Sequence, residues 1–165
     1  MDYKKLLLVA VTTLVTTSLQ SAVVLPGILP TQQVLAQSTE ARKTEADRLF
    51  NQGIQQFQTS QFTVALQSWE QALQIYREIK DRAGEGGALG NLGGAYYYLG
   101  DYKKAIKYHQ QSLVVAREIK DRFGEGTTLS NLGAAYGSLR NYPKAIEYLQ
   151  QSLEIAREIK NRQGE

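Results

Sequence analysis

One charged decapeptide recurs at constant spacing along this chain. Residues 77–86 read REIKDRAGEG, residues 117–126 read REIKDRFGEG, and the sequence closes on REIKNRQGE at 157–165. A surface decoration needs no fixed period, whereas a joint between stacked like parts does. Aligned on Gly53, Gly93 and Gly133, residues 46–85, 86–125 and 126–165 form three units of forty. The second and third units agree at 25 positions and the first and second at 14, so the first unit is the divergent one. A period of this size marks a supersecondary unit repeated along an axis.

Each unit contains two helical segments. In the second unit, Leu89, Leu92, Tyr96 and Leu99 fall at helical spacing. A second segment then places Ala105, Ile106, Tyr108, His109, Ser112, Leu113, Ala116 and Ile119 on one broad inner face. Gly100 between them is suited to end a helix in the left-handed conformation, and Asp101 to cap the next. Asn141 keeps the cap in the third unit, and Pro143 sits just inside the following helix, where a missing N–H costs little. No strand-like alternation follows residue 40, so the fold class is all-α, a row of antiparallel helix hairpins. Gly53, Gly93 and Gly133 lie mid-helix, where glycine costs about 1 kcal/mol relative to alanine. Their recurrence implies close helix approach, with Ala65, Ala105 and Ala145 expected at the facing position. In this reading REIKDR ends each second helix and GEG opens the next first helix.

The composition excludes several chemistries. There is no cysteine, hence no disulfide, thiolate metal site or cysteine nucleophile. The net charge is +3, without a block of Lys and Arg, and nucleic acid is not an expected partner. His109 is the only histidine and reads as a packed helix residue; no metal site or cofactor is expected. GEGGALGNLGG carries GxG-like spacings, but no strand precedes it. Glu78, Glu85, Glu118 and Glu125 read as solvated partners of nearby Arg and Lys. Nothing assembles a nucleophile, a base and an orienter, so the chain is not read as an enzyme.

The front of the chain has another character. Lys4 and Lys5 precede an apolar stretch, Leu6 to Leu19, diluted by four threonines. Val34-Leu35-Ala36 offers a small-residue cleavage site before Gln37. Residues 1–36 are therefore read as a signal peptide, 37–43 as a linker and 44–165 as the repeat array. The protein is expected to be exported, periplasmic or extracellular. The competing reading is an uncleaved membrane anchor, with the array outside the cytoplasm.

The repeat resembles the tetratricopeptide repeat. The resemblance rests on Leu89, Leu92, Gly93, Tyr96, Gly100, Asp101, Tyr102, Ala105, His109, Ser112 and Leu113, and on the third unit's Leu129, Leu132, Gly133, Tyr136, Asn141, Tyr142, Ala145, Leu149, Ser152 and Leu153. The first unit keeps Leu49, Gly53, Phe62, Ala65, Trp69, Ala72 and Leu73, but departs at Gln52 and Gln56. Arg77, Arg117 and Arg157 replace the family's usual proline. The family's usual period is about 34 residues; forty resembles kinesin light chains, spindle-orientation adaptors and bacterial, including cyanobacterial, arrays. The resemblance implies an α-solenoid wound as a right-handed superhelix whose first helices line a concave groove.

That register carries Asn51, Asn91 and Asn131, one per unit. An amide both donates and accepts, so such a ladder can hold an extended peptide backbone, as the resemblance to kinesin light chains implies. The alternative is that each Asn bonds a neighbouring helix. The flanking groove positions are Phe50, Ile54 and Phe57, then Gly90, Gly94, Tyr97 and Tyr98, then Ser130, Ala134, Gly137 and Ser138. Tyr97 and Tyr98 are equally open to a helix-packing role. The groove lacks lysines where chaperone-binding relatives clamp a terminal carboxylate. The expected function is a scaffold that binds a protein or peptide partner. Two alternatives stand beside it: an architectural or oligomerisation module of a cell-envelope assembly, and the recognition part of a larger effector. Ile146, Leu149, Leu153 and Ile155 on the last helix leave an apolar end open to self-association.

Overall fold

A computed structural model describes the backbone of residues 31–163 and the side chains of 35–160. Six helices follow one another: α1 (Thr31–Gln58), α2 (Phe62–Glu78), α3 (Arg82–Tyr98), α4 (Tyr102–Glu118), α5 (Arg122–Ser138) and α6 (Tyr142–Gln163). No strand occurs among the described residues. Successive helices pack on one another, and α3 also touches α5. None of the described helices is long and apolar enough to cross a membrane. The signal-peptide reading falls mainly on residues 1–30, outside the described part.

The chain reverses at even intervals. Ser60, Lys80, Gly100, Lys120 and Arg140 each take a positive φ, between 58° and 78°. Each turn therefore ends a helix with one left-handed residue, and only Gly100 adopts that conformation without a steric cost. The next residue starts the following helix. The carboxylates of Asp81, Asp101 and Asp121 accept from the N–H of Gly84, Lys104 and Gly124 at 2.9, 3.1 and 2.9 Å. Asn141 does the same for Lys144 at 3.4 Å. Burial pushes the Asp81 carboxyl up, but the Gly84 N–H and the Lys43 ammonium outweigh it and hold it below the usual range.

Segment 37–43, read from the sequence as a linker, lies within helix α1. No Gly or Pro interrupts residues 31–52, and two residues of the segment tie α1 down. Arg42 pairs with Glu78, and Lys43 with Asp81 at 2.6 Å.

The core continues from hairpin to hairpin. Leu89, Leu92, Leu129 and Leu132 are fully buried. Tyr96 packs against the cluster built around α1–α3 and also against the one built around α4–α6. The recurrent glycines receive a ring or a branched chain rather than an alanine. A Cβ on Gly53 would meet the Trp69 indole at 2.4 Å, one on Gly93 the His109 ring at 2.6 Å, and one on Gly133 the Leu149 Cγ at 2.7 Å. The alanines are buried too, and the Ala145 carbonyl comes within 3.2 Å of the Gly133 Cβ position. Trp69 also donates from Nε1 to the Phe50 carbonyl at 3.1 Å. In the second and third hairpins, Tyr96 stacks on Tyr108 and Tyr136 on Tyr148, each at 5.4 Å, beneath Lys104 and Lys144. The first hairpin replaces this pair with a hydrogen bond from Ser68 Oγ to Gln56 Oε1 at 2.8 Å, which accommodates Gln56.

The decapeptide is the joint. Arg77 Nε donates to Glu85 Oε1 across the first joint, and Arg117 Nε to Glu125 Oε1 across the second, both at 2.8 Å. Each glutamate also pairs with an arginine of its own first turn, Arg82 or Arg122. These arginines reach on to Glu118 and Glu158 of the helix that completes the hairpin. Glu85 and Glu125 are 7% and 6% exposed, so the expectation of solvated ion pairs holds for neither. A carboxylate this buried survives because two guanidinium groups meet it. Burial alone would raise the Glu125 carboxyl; Arg117 and Arg122 bring it below its ordinary range.

Two predictions follow from the packing. Gly93→Ala is expected to destabilise the array by about 1–3 kcal/mol, because its Cβ overlaps the buried His109 ring. Gly94→Ala has nothing within 4 Å of its Cβ. It should stabilise by about 0.5–1 kcal/mol through helix propensity. Urea denaturation of the two variants gives opposite shifts if the packing is as described.

His109 is 1% exposed and its Nδ1 has no hydrogen-bond partner among the described residues. Burial lowers its pKa to about 4 from the ordinary 6.5. Between those values the unfolded chain binds a proton that the folded chain refuses. The stability is full above pH 6.5 and declines toward pH 4, by roughly 3 kcal/mol. His109→Leu, which copies the Leu149 register, should flatten that limb; a series of denaturation curves from pH 7.5 to 4.5 reads it.

Candidate functional site

The first helices α1, α3 and α5 present one residue register per unit to a common face. Between α3 and α5 this face opens into a cleft of about 250 Å³. Gly87, Gly90 and Asn91 form one wall, Phe123, Thr127 and Asn131 the other, and Ser112 and Ala116 of α4 lie among the lining residues. A second cleft, of about 470 Å³, lies between α5 and α6 and shares Phe123, Thr127 and Asn131 with the first. The two are thus contiguous. The glycines hold the first cleft open: Gly90 is 3.5 Å from Ser112 Oγ at its Cβ position, and Gly94 further along α3 meets nothing.

The sequence-expected residues divide into two groups. Asn91 is half-buried on the first cleft, and Asn131 is exposed on the border of both. Asn51 is exposed on α1 and lines neither. None of the three amides hydrogen-bonds another described residue, so the neighbouring-helix alternative finds no bond here. Ala134 is exposed one turn beyond Asn131.

The aromatic positions are occupied with one another. Phe50, Ile54 and Phe57 are partly buried against the first core cluster. Phe50 lies edge-on to Tyr76 at 6.4 Å, and Phe57 contacts Phe62, Trp69 and Tyr98 at 5.1, 5.7 and 5.2 Å. Tyr97 is half-buried against Tyr102 at 5.3 Å and accepts from Ser138 Oγ at 3.3 Å. Tyr98 stacks on Phe62 at 5.8 Å yet remains 66% exposed. Phe57, Phe62, Tyr97, Tyr98 and Tyr102 form a cluster at the turn end of the first two hairpins. Phe123, 75% exposed, is the large apolar side chain that borders both clefts. It was missed, as were Gly87 and Thr127. The signal was present: Phe123, Thr127 and Asn131 are spaced by four, one stripe of a helix.

Antiparallel helix hairpins repeated every forty residues, joined in register by a repeated clamp, define a helix-hairpin solenoid with an open first-helix face. The chain belongs to the tetratricopeptide repeat family, whose profile matches residues 45–113 and again 85–158. Solved structures share the fold. The tetratricopeptide domain of FLU from Arabidopsis superposes with a TM-score of 0.68 at 21% identity, covering 70% of this chain and 98% of that one. Aspartyl phosphate phosphatase F from Bacillus subtilis gives 0.69 at 22%, over 72% of this chain and 31% of that one. BtubC (BKLC) from P. vanneervenii gives 0.67 at 20%, over 78% and 54%. No curated protein matches the sequence.

Proposed function

We propose that this protein is a non-enzymatic scaffold that takes an extended segment of a partner protein along the α3–α5 and α5–α6 clefts. Asn91 and Asn131 bond its backbone, and Phe123 receives an apolar side chain. One observation carries the reading: two amides in one register, unbonded to the rest of the molecule, border contiguous clefts floored by small residues. Each amide supplies a donor and an acceptor, as an extended backbone requires. The repeat family supports a protein partner in general terms. A leader at residues 1–36 would place this binding outside the cytoplasm, with membrane attachment if it is not removed.

Peptides selected from a random display library against the array provide the test. The double substitution Asn91→Ala and Asn131→Ala should weaken the selected peptides about tenfold or more. It should leave helicity and melting unchanged, because neither amide supports the fold. Equal affinity in a folded double variant would overturn the ladder. For export, the full chain expressed in a bacterial host should appear outside the cytoplasm with Gln37 as its first residue; intact, cytoplasmic protein would refute the leader.

A further inference from the structure

The first joint, between α1 and α3, uses the same register positions as the two clefts, but there they are filled. Gly90 and Ala116 line the first cleft, and Ser130 and Ala156 the second. One unit earlier the same two positions hold Phe50 and Tyr76. Their rings meet edge-on, with centroids 6.4 Å apart. The glycines of α3 make room for them: a Cβ on Gly84 would lie 2.3 Å from the Tyr76 ring, and one on Gly87 3.5 Å from Phe50. Tyr76 is 2% exposed, and neither cleft has an α1 residue in its lining.

Two further residues fix the rings, and both also break the repeat. Tyr76 donates from its hydroxyl to Asp47 Oδ1 at 2.7 Å. Lys43 lies over the Tyr76 ring at 5.7 Å and pairs with both Asp47 and Asp81. Burial, with the Asp47 carboxylate beside it, pushes the phenol pKa up, so the group stays a neutral donor. One unit on, the positions of Lys43 and Asp47 are Ala83 and Gly87, both on the first cleft. Holding the hairpins together does not require this filling. The second joint has the same arginine–glutamate clamp as the first and leaves its space open.

We propose that Phe50 and Tyr76 are a stopper that ends the binding groove at the first joint and fixes the register of the bound segment. The inference rests on the reading of the α3–α5 and α5–α6 clefts as that groove. A segment that bonds Asn91 and Asn131 lies over α3 to α6, and packed rings stand where a third slot would otherwise open. Asn51 shares the ladder register but is left outside the groove. The partner is therefore chosen by two side-chain slots rather than three.

The double substitution Phe50→Gly and Tyr76→Ala copies the second joint and should open the third slot. Peptides are selected from the display library on this variant and, separately, on the natural chain. Each set is titrated by fluorescence anisotropy before and after Asn51→Ala. That change should leave the natural chain's binders unaffected and weaken the variant's binders about tenfold. Trp69 emission and circular dichroism check that the opened first hairpin is folded. A second measurement needs no variant. Selected peptides with a photoreactive group at either terminus, crosslinked to the natural chain, should mark α3–α6 and spare Asn51 and Ile54. Crosslinks to Asn51 or Ile54, or natural-chain binders weakened by Asn51→Ala, overturn the stopper and leave the groove standing. So does a folded variant whose binders ignore Asn51→Ala. Natural-chain binders indifferent to Asn91→Ala and Asn131→Ala sink the groove itself, and the stopper with it.

Discussion

Everything in this molecule is aligned by a glutamate that two arginines draw into the seam between hairpins. Glu85 and Glu125 are nearly sealed from water, and a carboxylate in that position tolerates little misplacement. One arginine comes from the preceding second helix and the other from the glutamate's own first turn. The second arginine then reaches across its hairpin to the far helix. A single chain of charges therefore sets the offset between hairpins and the offset within them. The cleft between α3 and α5, and the register that brings Asn91 and Asn131 onto one face, are products of that spacing.

Much of this was legible from residue identity and period. Gly100 and Asp101 announce a turn and a cap because their chemistry permits little else there, and Asn141 with Pro143 repeats the message. Other features were hidden by substitution. The glycine seats accept Trp69, His109 and Leu149, three unlike side chains that no identity pattern links. Alanine, being invariant across the units, drew the inference instead. The depth of Glu85 and Glu125 was hidden too, since a charged repeat reads as surface until the number of its partners is known. Phe50, Ile54 and Phe57 share the groove register, yet packing between α1 and its neighbours turns them toward the core. Periodicity gives the side of a helix, and only packing decides whether a ring on that side lies open.

The first and last described hairpins differ in kind. The first unit exchanges a stacked tyrosine pair for the Gln56–Ser68 hydrogen bond and sets Arg48 and Gln52 where its successors bury apolar groups. The last helix leaves its apolar stripe in water.

The single tryptophan also has a consequence. Trp69 is held in the first hairpin, its indole against Gly53 and its N–H on the Phe50 carbonyl. Its emission therefore reports chiefly the melting of the first hairpin and its seam with α3, while ellipticity averages over the six described helices. In a quasi-one-dimensional array the two signals need not coincide. Their separation would measure how far cooperativity extends along the row.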